Sequence, residues 1–276
     1  IGITVEGANI MTRSLIIFGQ GAFRCHPFVL KEIEAANLED ETEAIEQFDV
    51  HFFNHIGYSV TNAASAFVRG ITDKFTDSPV MDETATYYRQ INRFSAAFAL
   101  LTDISMVVMG GSLKRKETIS ARLGDVLSSL YLASVSLKYY EDTGDKEAEL
   151  PLVHWTQKTL IAEAEEKIHQ TLSNFPNKFI GILIKLIIFP LGRNFCGPTI
   201  EETLTIGKLI SRKTKTRENL INGIYLQEEP TNHYAQMNKA LELYESCHPI
   251  KSEMHTAKKK GLIKGNNFDD LLDSAV

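Results

Sequence analysis

Helical periodicity runs through this chain from end to end, while the alternating pattern of a half-buried β-strand is almost absent. Apolar residues recur at spacings of three and four, which places them on one face of an α-helix. Glycine and proline stand mainly at the breaks between these stretches. The pattern predicts an all-α fold, a helical bundle of long antiparallel helices followed by shorter C-terminal helices.

Four long helices are predicted at residues 41–72, 82–109, 113–140 and 152–172. The apolar stripe of the first is Ile45, Phe48, Phe52, His55, Ile56 and Val60, and that of the second is Tyr87, Ile91, Phe94, Phe98, Leu101 and Met106. Two short helices precede them, one over about residues 9–18 and one that begins at Pro27, because proline suits a first helical turn. Beyond Pro176, shorter helices are expected between Pro190, Pro198, Pro230 and Pro249.

Charge and cysteine usage limit the classes of function. The net charge of -6 and the pI of about 5.8 disfavour nucleic acid, because phosphate binding needs a basic face. The three cysteines, Cys25, Cys196 and Cys247, are an odd number and lie far apart, which favours a reducing, cytoplasmic compartment over a disulfide framework. The first residues contain neither an initiator Met nor a signal sequence, and we expect the chain to begin within a longer protein.

Two tripeptides have the composition of metal half-sites. These are Cys25-His26-Pro27 and Cys247-His248-Pro249, with His255 near the second. Neighbouring residues usually point apart, and neither a CxxC nor an HxxxH spacing supports them. We therefore predict no metal site, and expect a helix boundary at each proline with a small buried thiol beside it.

Charged residues near the Gly110-Gly111 turn need partners. Lys114, Arg115 and Lys116 precede a helix, where cations oppose the helix dipole. A CoA phosphate or an acidic partner is one interpretation, and pairing with Glu117, Asp125 or carboxylates of neighbouring helices is the one we favour.

Asp103 interrupts an apolar run and would be costly to bury unpaired. In an antiparallel hairpin that closes at Gly110-Gly111, Arg115 and Arg122 are both within reach of this carboxylate. We predict a buried Asp103 that is hydrogen-bonded to an arginine, with Arg122 as the first choice.

Residues 179–191 are apolar and are flanked by Lys178 and Arg193. The stretch is too short to span a bilayer as a helix. It predicts either a buried core helix with Lys185 extending to solvent or a helix that lies on a membrane surface, and we favour the first.

One short motif carries chemistry. Residues 5–13 read Val-Glu-Gly-Ala-Asn-Ile-Met-Thr-Arg. This resembles the signature of acyl-CoA dehydrogenases, an aromatic residue followed by Glu-Gly-Thr and by an arginine seven residues after the glutamate. The resemblance implies that Glu6 is the base that removes the α-proton of an acyl thioester and that Gly7, Ala8 and Asn9 contact the flavin. The other interpretation of Glu6 is an acidic residue at a helix N-terminus.

Two positions depart from this signature. Val5 replaces the usual Tyr or Phe, and Ala8 replaces the usual Thr, which puts a side-chain contact from position 8 to the flavin in doubt. A glutamate before Gly7 is expected where the chain bends into a helix, so that its side chain can project into a cleft.

Three further stretches resemble the C-terminal extension of large bacterial dehydrogenases of fatty-acid β-oxidation. They are residues 14–27, residues 110–134, and residues 150–155 with 174–177 and 188–190. The resemblance implies two domains. Residues 1–40 would be a remnant of the dehydrogenase C-terminal helical domain, and residues 41–276 would be the extension.

The implied function is FAD-dependent α,β-dehydrogenation of long-chain acyl-CoA to trans-2-enoyl-CoA, with an electron-transfer flavoprotein as acceptor. The isolated chain is expected to be inactive, to bind no FAD and to leave Glu6 exposed, because one wall cannot enclose a flavin. The alternative is a helical module that docks to another subunit or to a membrane surface through residues 179–191. A homo-oligomer and the inner membrane surface are further expected associations.

Overall fold

A computed structural model describes residues 2–72, 77–225, 232–265 and 270. Within these ranges the chain is helical and contains no strand, which confirms the predicted all-α class. The α-helices are α1 (Gly2–Met11), α2 (Gly21–Cys25), α3 (Val29–Ala36), α4 (Glu41–Ile71), α5 (Ala85–Met109), α6 (Glu117–Thr143), α7 (Lys146–Ser173), α8 (Lys178–Ile188), α9 (Ile200–Ser211), α10 (Lys215–Ile221) and α11 (His233–Lys259). A π-helix (Thr12–Ile17) follows α1, and a 3₁₀-helix (Gly110–Arg115) follows α5.

The chain divides into two compact units. The first contains residues 1–144 and 152–198, and the second contains residues 145–151 and 199–276. The predicted boundary between a remnant at residues 1–40 and an extension at residues 41–276 rests on resemblance, and it stays a prediction.

Side-chain caps explain where several helices begin. The Asp40 carboxylate accepts hydrogen bonds from the Thr42 and Glu43 amides at the start of α4. Asn177 caps α8 in the same way. Thr199 and Glu202 form a reciprocal capping box at α9. Such caps satisfy amides that the helix itself leaves unbonded.

The core of the first unit is built around α5. Five of the six residues of the predicted apolar face are buried, namely Tyr87, Ile91, Phe94, Leu101 and Met106, and Phe98 is half-buried. The helix packs against both α4 and α6. Residues 85–115 are long and apolar enough to cross a membrane by length and composition, but 56% of their most apolar window is buried in the protein, as in a core helix.

Helix α4 has the predicted position but not the predicted burial. Ile45, Phe52, Ile56 and Val60 are 42–63% exposed, although they form the expected apolar stripe. The buried residues of α4 are instead Ala66 and Gly70 near its end. A Cβ atom at Gly70 would lie 2.7 Å from Cδ of Pro190, so a side chain here would displace the chain after α8.

Two prolines lie inside helices rather than between them. Pro151 is in the second turn of α7, which therefore begins six residues before the predicted residue 152. Pro249 lies within α11, so the expected break at this proline is wrong and α11 is 27 residues long. An internal proline removes one backbone hydrogen bond and crowds the carbonyl four residues before it, which opposes helix formation at Pro249 but does not end α11 there.

The second unit gathers α9, α10 and α11 with the first residues of α7. The Thr216 hydroxyl donates to the carbonyl of Ala148, and the Asn219 amide donates to the carboxylate of Glu149, both at 2.7 Å. Lys215 forms an ion pair with Asp145 at 2.6 Å. Ile206 and Met254 are its largest buried apolar side chains among the described residues.

Candidate functional site

The motif residues Glu6, Gly7, Ala8 and Asn9 all lie within α1. Glu6 is exposed, as expected, and so are Ala8 and Asn9. The expected bend at Gly7 is wrong, because α1 begins at Gly2 and continues to Met11. A Cβ atom at Gly7 would meet nothing within 4 Å, so the position does not require glycine. The first turn of α1 contains no acidic residue, which also excludes Glu6 as an N-terminal cap.

The segment after α1 is held closely against α6. The π-helix brings Ser14 into a buried position, where its carbonyl accepts a hydrogen bond of 2.8 Å from the Ser120 hydroxyl. A Cβ atom at Gly124 would lie 3.0 Å from the carbonyl oxygen of Arg13. A glycine at this position therefore lets the backbones of α6 and the π-helix approach each other.

Arg13, the arginine of the motif, is anchored to the same helix. Its Nε and one terminal nitrogen donate to the two oxygens of Asp125, at 2.5 and 2.6 Å. Lys167 of α7 contacts Asp125 at 3.0 Å. Burial alone would raise the pKa of Asp125, but the hydrogen bonds from Arg13 and Lys167 outweigh burial and hold that pKa below its usual range. Asp125 thereby joins the motif segment to α6 and α7.

The ion-pair partners predicted for Lys114, Arg115 and Lys116 are wrong. Asp125 is occupied by Arg13 and Lys167, and Arg115 and Lys116 form no ion pair with any residue that the structure describes. Lys114 lies 5.5 Å from the ring centre of Phe23, a cation–π contact.

Asp103 is buried, as predicted, but its predicted arginine partner is wrong. Nε2 of His26 lies 2.8 Å from one oxygen of Asp103, and the Ser59 hydroxyl donates to the other at 2.7 Å. Arg122 points away, to the side chain of Gln170 and the carbonyl of Thr118. The sequence contained a signal for this site, since His26 and His55 were both conspicuous, but nothing in the spacing linked them to Asp103.

His26, His55 and Asp103 bring three potential ligand atoms within 4.8 Å of one another. The amides of Phe28 and Val29 both donate to Nδ1 of His26, so a neutral ring must carry its proton on Nε2, where it donates to Asp103. A metal at Nε2 would have to displace this proton. His55 is better arranged as a ligand, because its Nδ1 lies 2.8 Å from Glu32. The His26 geometry thus favours a hydrogen-bonded cluster over a metal centre.

An apolar cavity of about 250 Å³ lies beside this cluster. Its walls include Phe18, Tyr58, Phe98 and Leu127, and Phe18 and Phe98 meet edge to face. The hydroxyl of Thr102 is buried here without a hydrogen-bond partner among the described residues. The cavity is partly open to solvent and has room for a small apolar group.

Helix α8 is apolar on two faces. Gly181, Ile184 and Ile188 are buried. On the opposite face, Phe179, Ile182, Leu183 and Leu186 are exposed by 76%, 61%, 48% and 60%. The prediction of a buried core helix is therefore wrong for half of its surface.

The cysteines also differ from expectation. Cys25, Cys196 and Cys247 are all exposed and unbonded to one another, so the predicted buried thiols beside Pro27 and Pro249 are not found. The absence of a metal site stays a prediction.

Comparison with known proteins gives one family. The model described as acyl-CoA dehydrogenase, C-terminal, bacterial type, matches residues 23–276. The matched range contains the whole helical bundle from α3 onward and begins after Glu6 and Arg13. No solved structure matches the chain.

Proposed function

This chain belongs to the family of bacterial-type acyl-CoA dehydrogenase C-terminal domains, and from that we propose that it serves an FAD-dependent oxidation of long-chain acyl-CoA to trans-2-enoyl-CoA. The family match supports the general class of enzyme. The preference for long chains rests on the resemblance of residues 14–27 and 110–134 to the large bacterial enzymes of fatty-acid β-oxidation. An electron-transfer flavoprotein is the proposed electron acceptor.

Glu6 is the proposed base. The α-proton of a thioester is too weakly acidic for water to remove, so a carboxylate has to be held against it. The observation that carries the proposal is the anchoring of this motif, because the Arg13–Asp125 pair and the Ser14–Ser120 hydrogen bond fix the segment that follows Glu6 on α6. A fixed segment can hold Glu6 at a constant position relative to a bound thioester.

The residues of α1 do not enclose a flavin. Glu6, Ala8 and Asn9 are exposed, and Gly7 is only half-buried, so together they form an open wall. A flavin needs a concave, largely apolar site that covers most of its surface. The proposed contacts of Gly7, Ala8 and Asn9 with a flavin therefore require further walls around it.

The test of this function uses Glu6→Gln in the complete dehydrogenase. Turnover of a long-chain acyl-CoA should fall by at least about 100-fold, because general base catalysis contributes on the order of 10²–10⁴. Bound FAD, measured by its absorbance, should not change. Glu34→Gln, at another exposed glutamate, is the matched control and should retain turnover. Normal turnover by Glu6→Gln would remove Glu6 from the mechanism.

A second proposed function is docking on a membrane surface through α8. The exposed side chains Phe179, Ile182 and Leu186 follow the helical spacing of three and four, and Lys178 and Arg193 flank them. Exposed apolar side chains favour a lipid interface in proportion to the area that they bury there, and cations beside them add attraction to anionic lipids. The cytoplasmic side of the inner membrane is the surface that we propose.

Vesicle flotation can test this docking. The chain should float with vesicles that contain phosphatidylglycerol, and Ile182→Asp/Leu186→Asp should abolish flotation. Val107→Asp/Leu132→Asp is the control, because Val107 and Leu132 are also exposed apolar residues, at 76% and 53%. Equal flotation of both double variants would contradict a role for α8.

A further inference from the structure

Five cations from four helical elements meet at one groove of the first unit. Arg13 comes from the π-helix, Arg115 and Lys116 from the segment before α6, Arg122 from α6 and Lys167 from α7. The groove consists of two adjoining recesses of about 310 and 520 Å³, which share Glu117, Thr118 and Arg122 in their walls. We call this surface the basic groove.

Positive charge in the basic groove is only partly neutralised within the protein. Asp125 serves both Arg13 and Lys167. Glu117 is the one carboxylate among the described residues that line the two recesses, so with Asp125 included the five cations exceed the carboxylates by three. Glu166, which accepts a hydrogen bond from Gln170, pairs with Arg193. The chain as a whole has a net charge of -6, which makes this local excess a property of the groove rather than of the protein.

Several basic side chains of the groove have hydrogen-bond donors that are not paired with a carboxylate of the described residues. Arg122 donates only to neutral oxygens, those of Gln170 and the Thr118 carbonyl. Arg115 and Lys116 are exposed and pair with no carboxylate of the described residues. An arginine fork and a lysine ammonium that converge without an acidic partner are a binding arrangement for phosphate oxygens.

We propose that the basic groove binds the phosphate groups of a coenzyme A ester, with Arg115, Lys116 and Arg122 as the residues that contact them. Coenzyme A and inorganic pyrophosphate both present a diphosphate anion to these residues. This inference rests on the proposed function, which supplies CoA as the source of the phosphates. The two recesses provide room for a diphosphate and an additional phosphate. A ligand with only one carboxylate would leave most of the donors of Arg115, Lys116 and Arg122 without an acceptor.

Calorimetric titration of the 276-residue chain tests the proposal, with coenzyme A and inorganic pyrophosphate as separate ligands at about 0.1 M salt, where the Debye length is about 10 Å. Arg115→Glu/Lys116→Glu should weaken the binding of both ligands by at least about tenfold, because two attractive charges become repulsive. Arg24→Glu/Lys31→Glu is the matched control, since it makes the same change in net charge at two exposed cations outside the groove. The control should change affinity by less than about threefold, because charges beyond a Debye length are screened.

Either of two results would overturn the proposal. One is coenzyme A binding that is as tight in Arg115→Glu/Lys116→Glu as in the parent chain. The other is an equal loss of affinity in both double variants, which would show general attraction to a cationic surface. The dehydrogenase function is tested separately by Glu6→Gln, which should leave this binding unchanged, so a failure of one proposal can be distinguished from a failure of the other.

Discussion

Arg13 and Asp125, which are 112 residues apart, form a two-pronged ion pair at 2.5 and 2.6 Å. The Asp125 side chain is only 14% exposed, whereas that of Arg13 is 48% exposed. Solvent therefore weakens the attraction from the arginine side, but the carboxylate depends on its partners to compensate for its own burial. Asp125 is therefore the buried centre of this network, and Arg13 and Lys167 are the donors that compensate its charge.

Asp125→Asn should lower the free energy of unfolding by about 1–2 kcal/mol, because Arg13 and Lys167 would lose a charged acceptor. Asp142→Asn is the control. Asp142 pairs with Lys138 across one turn of α6, and both are exposed, so its loss should cost less than about 0.5 kcal/mol. Urea unfolding at neutral pH measures both values. Equal midpoints for the two variants would show that the Asp125 network contributes nothing.

Acid should remove the stabilisation that Asp125 provides. Its pKa is lower in the folded protein than in the unfolded chain, so the contribution is complete above the unfolded value of about 4 and is lost as the pH falls through the lower folded value. The difference in unfolding free energy between the parent chain and Asp125→Asn should therefore be constant from neutral pH to about pH 5 and shrink in stronger acid. A difference that grows on acidification would contradict the assigned direction.

Thr102→Val should stabilise the protein by about 1 kcal/mol, since it removes a buried hydroxyl that has no partner among the described residues. Thr171→Val should have the opposite effect. The Thr171 hydroxyl is fully buried and donates to the Lys167 carbonyl at 2.8 Å, so this substitution removes a hydrogen bond. Thermal melting of the two variants measures whether each substitution raises or lowers the stability of the protein. Destabilisation by Thr102→Val would indicate that its hydroxyl is hydrogen-bonded in solution.

Gly124→Ala should be less stable than Gly57→Ala by at least about 1 kcal/mol. Both positions lie within helices, where alanine is intrinsically favoured over glycine by about 1 kcal/mol. A Cβ atom at Gly57 meets nothing within 4 Å, so the full gain is expected there. At Gly124 the new methyl group would press on the Arg13 carbonyl at 3.0 Å, which opposes the gain. Equal stabilisation by both substitutions would show that the π-helix can move away from the new methyl group without a loss of stability.

The long helices could be predicted from sequence because their signals are local. The apolar face of α5 and the break at Gly110, whose φ of 48° suits glycine, depend on residues that are close along the chain. The partner of Asp103 could not be predicted in this way. A hairpin register placed Arg122 within reach, but the actual partner, His26, comes from a turn 77 residues earlier in the chain.

Burial was the other property that local pattern did not determine. The stripe of Ile45, Phe52 and Val60 has the spacing of a core-facing helix, yet these residues are exposed. Periodicity shows that one face is apolar, and it does not show what covers that face. For the candidate site, the resemblance of residues 5–13 identified Glu6 and Arg13, but nothing linked Asp125 to Arg13, because a pair across 112 residues leaves no local trace.

The π-helix at Thr12–Ile17 determines how α1 is rotated about its axis relative to the residues that follow, beginning at Phe18. A π-helix holds an extra residue relative to an α-helix of the same span, and such insertions often occur at functional sites. If all the residues of this stretch wound as an α-helix instead, α1 would turn by about 100° relative to Phe18 and the bundle. Glu6 would then face a different direction while every residue of its motif remained present.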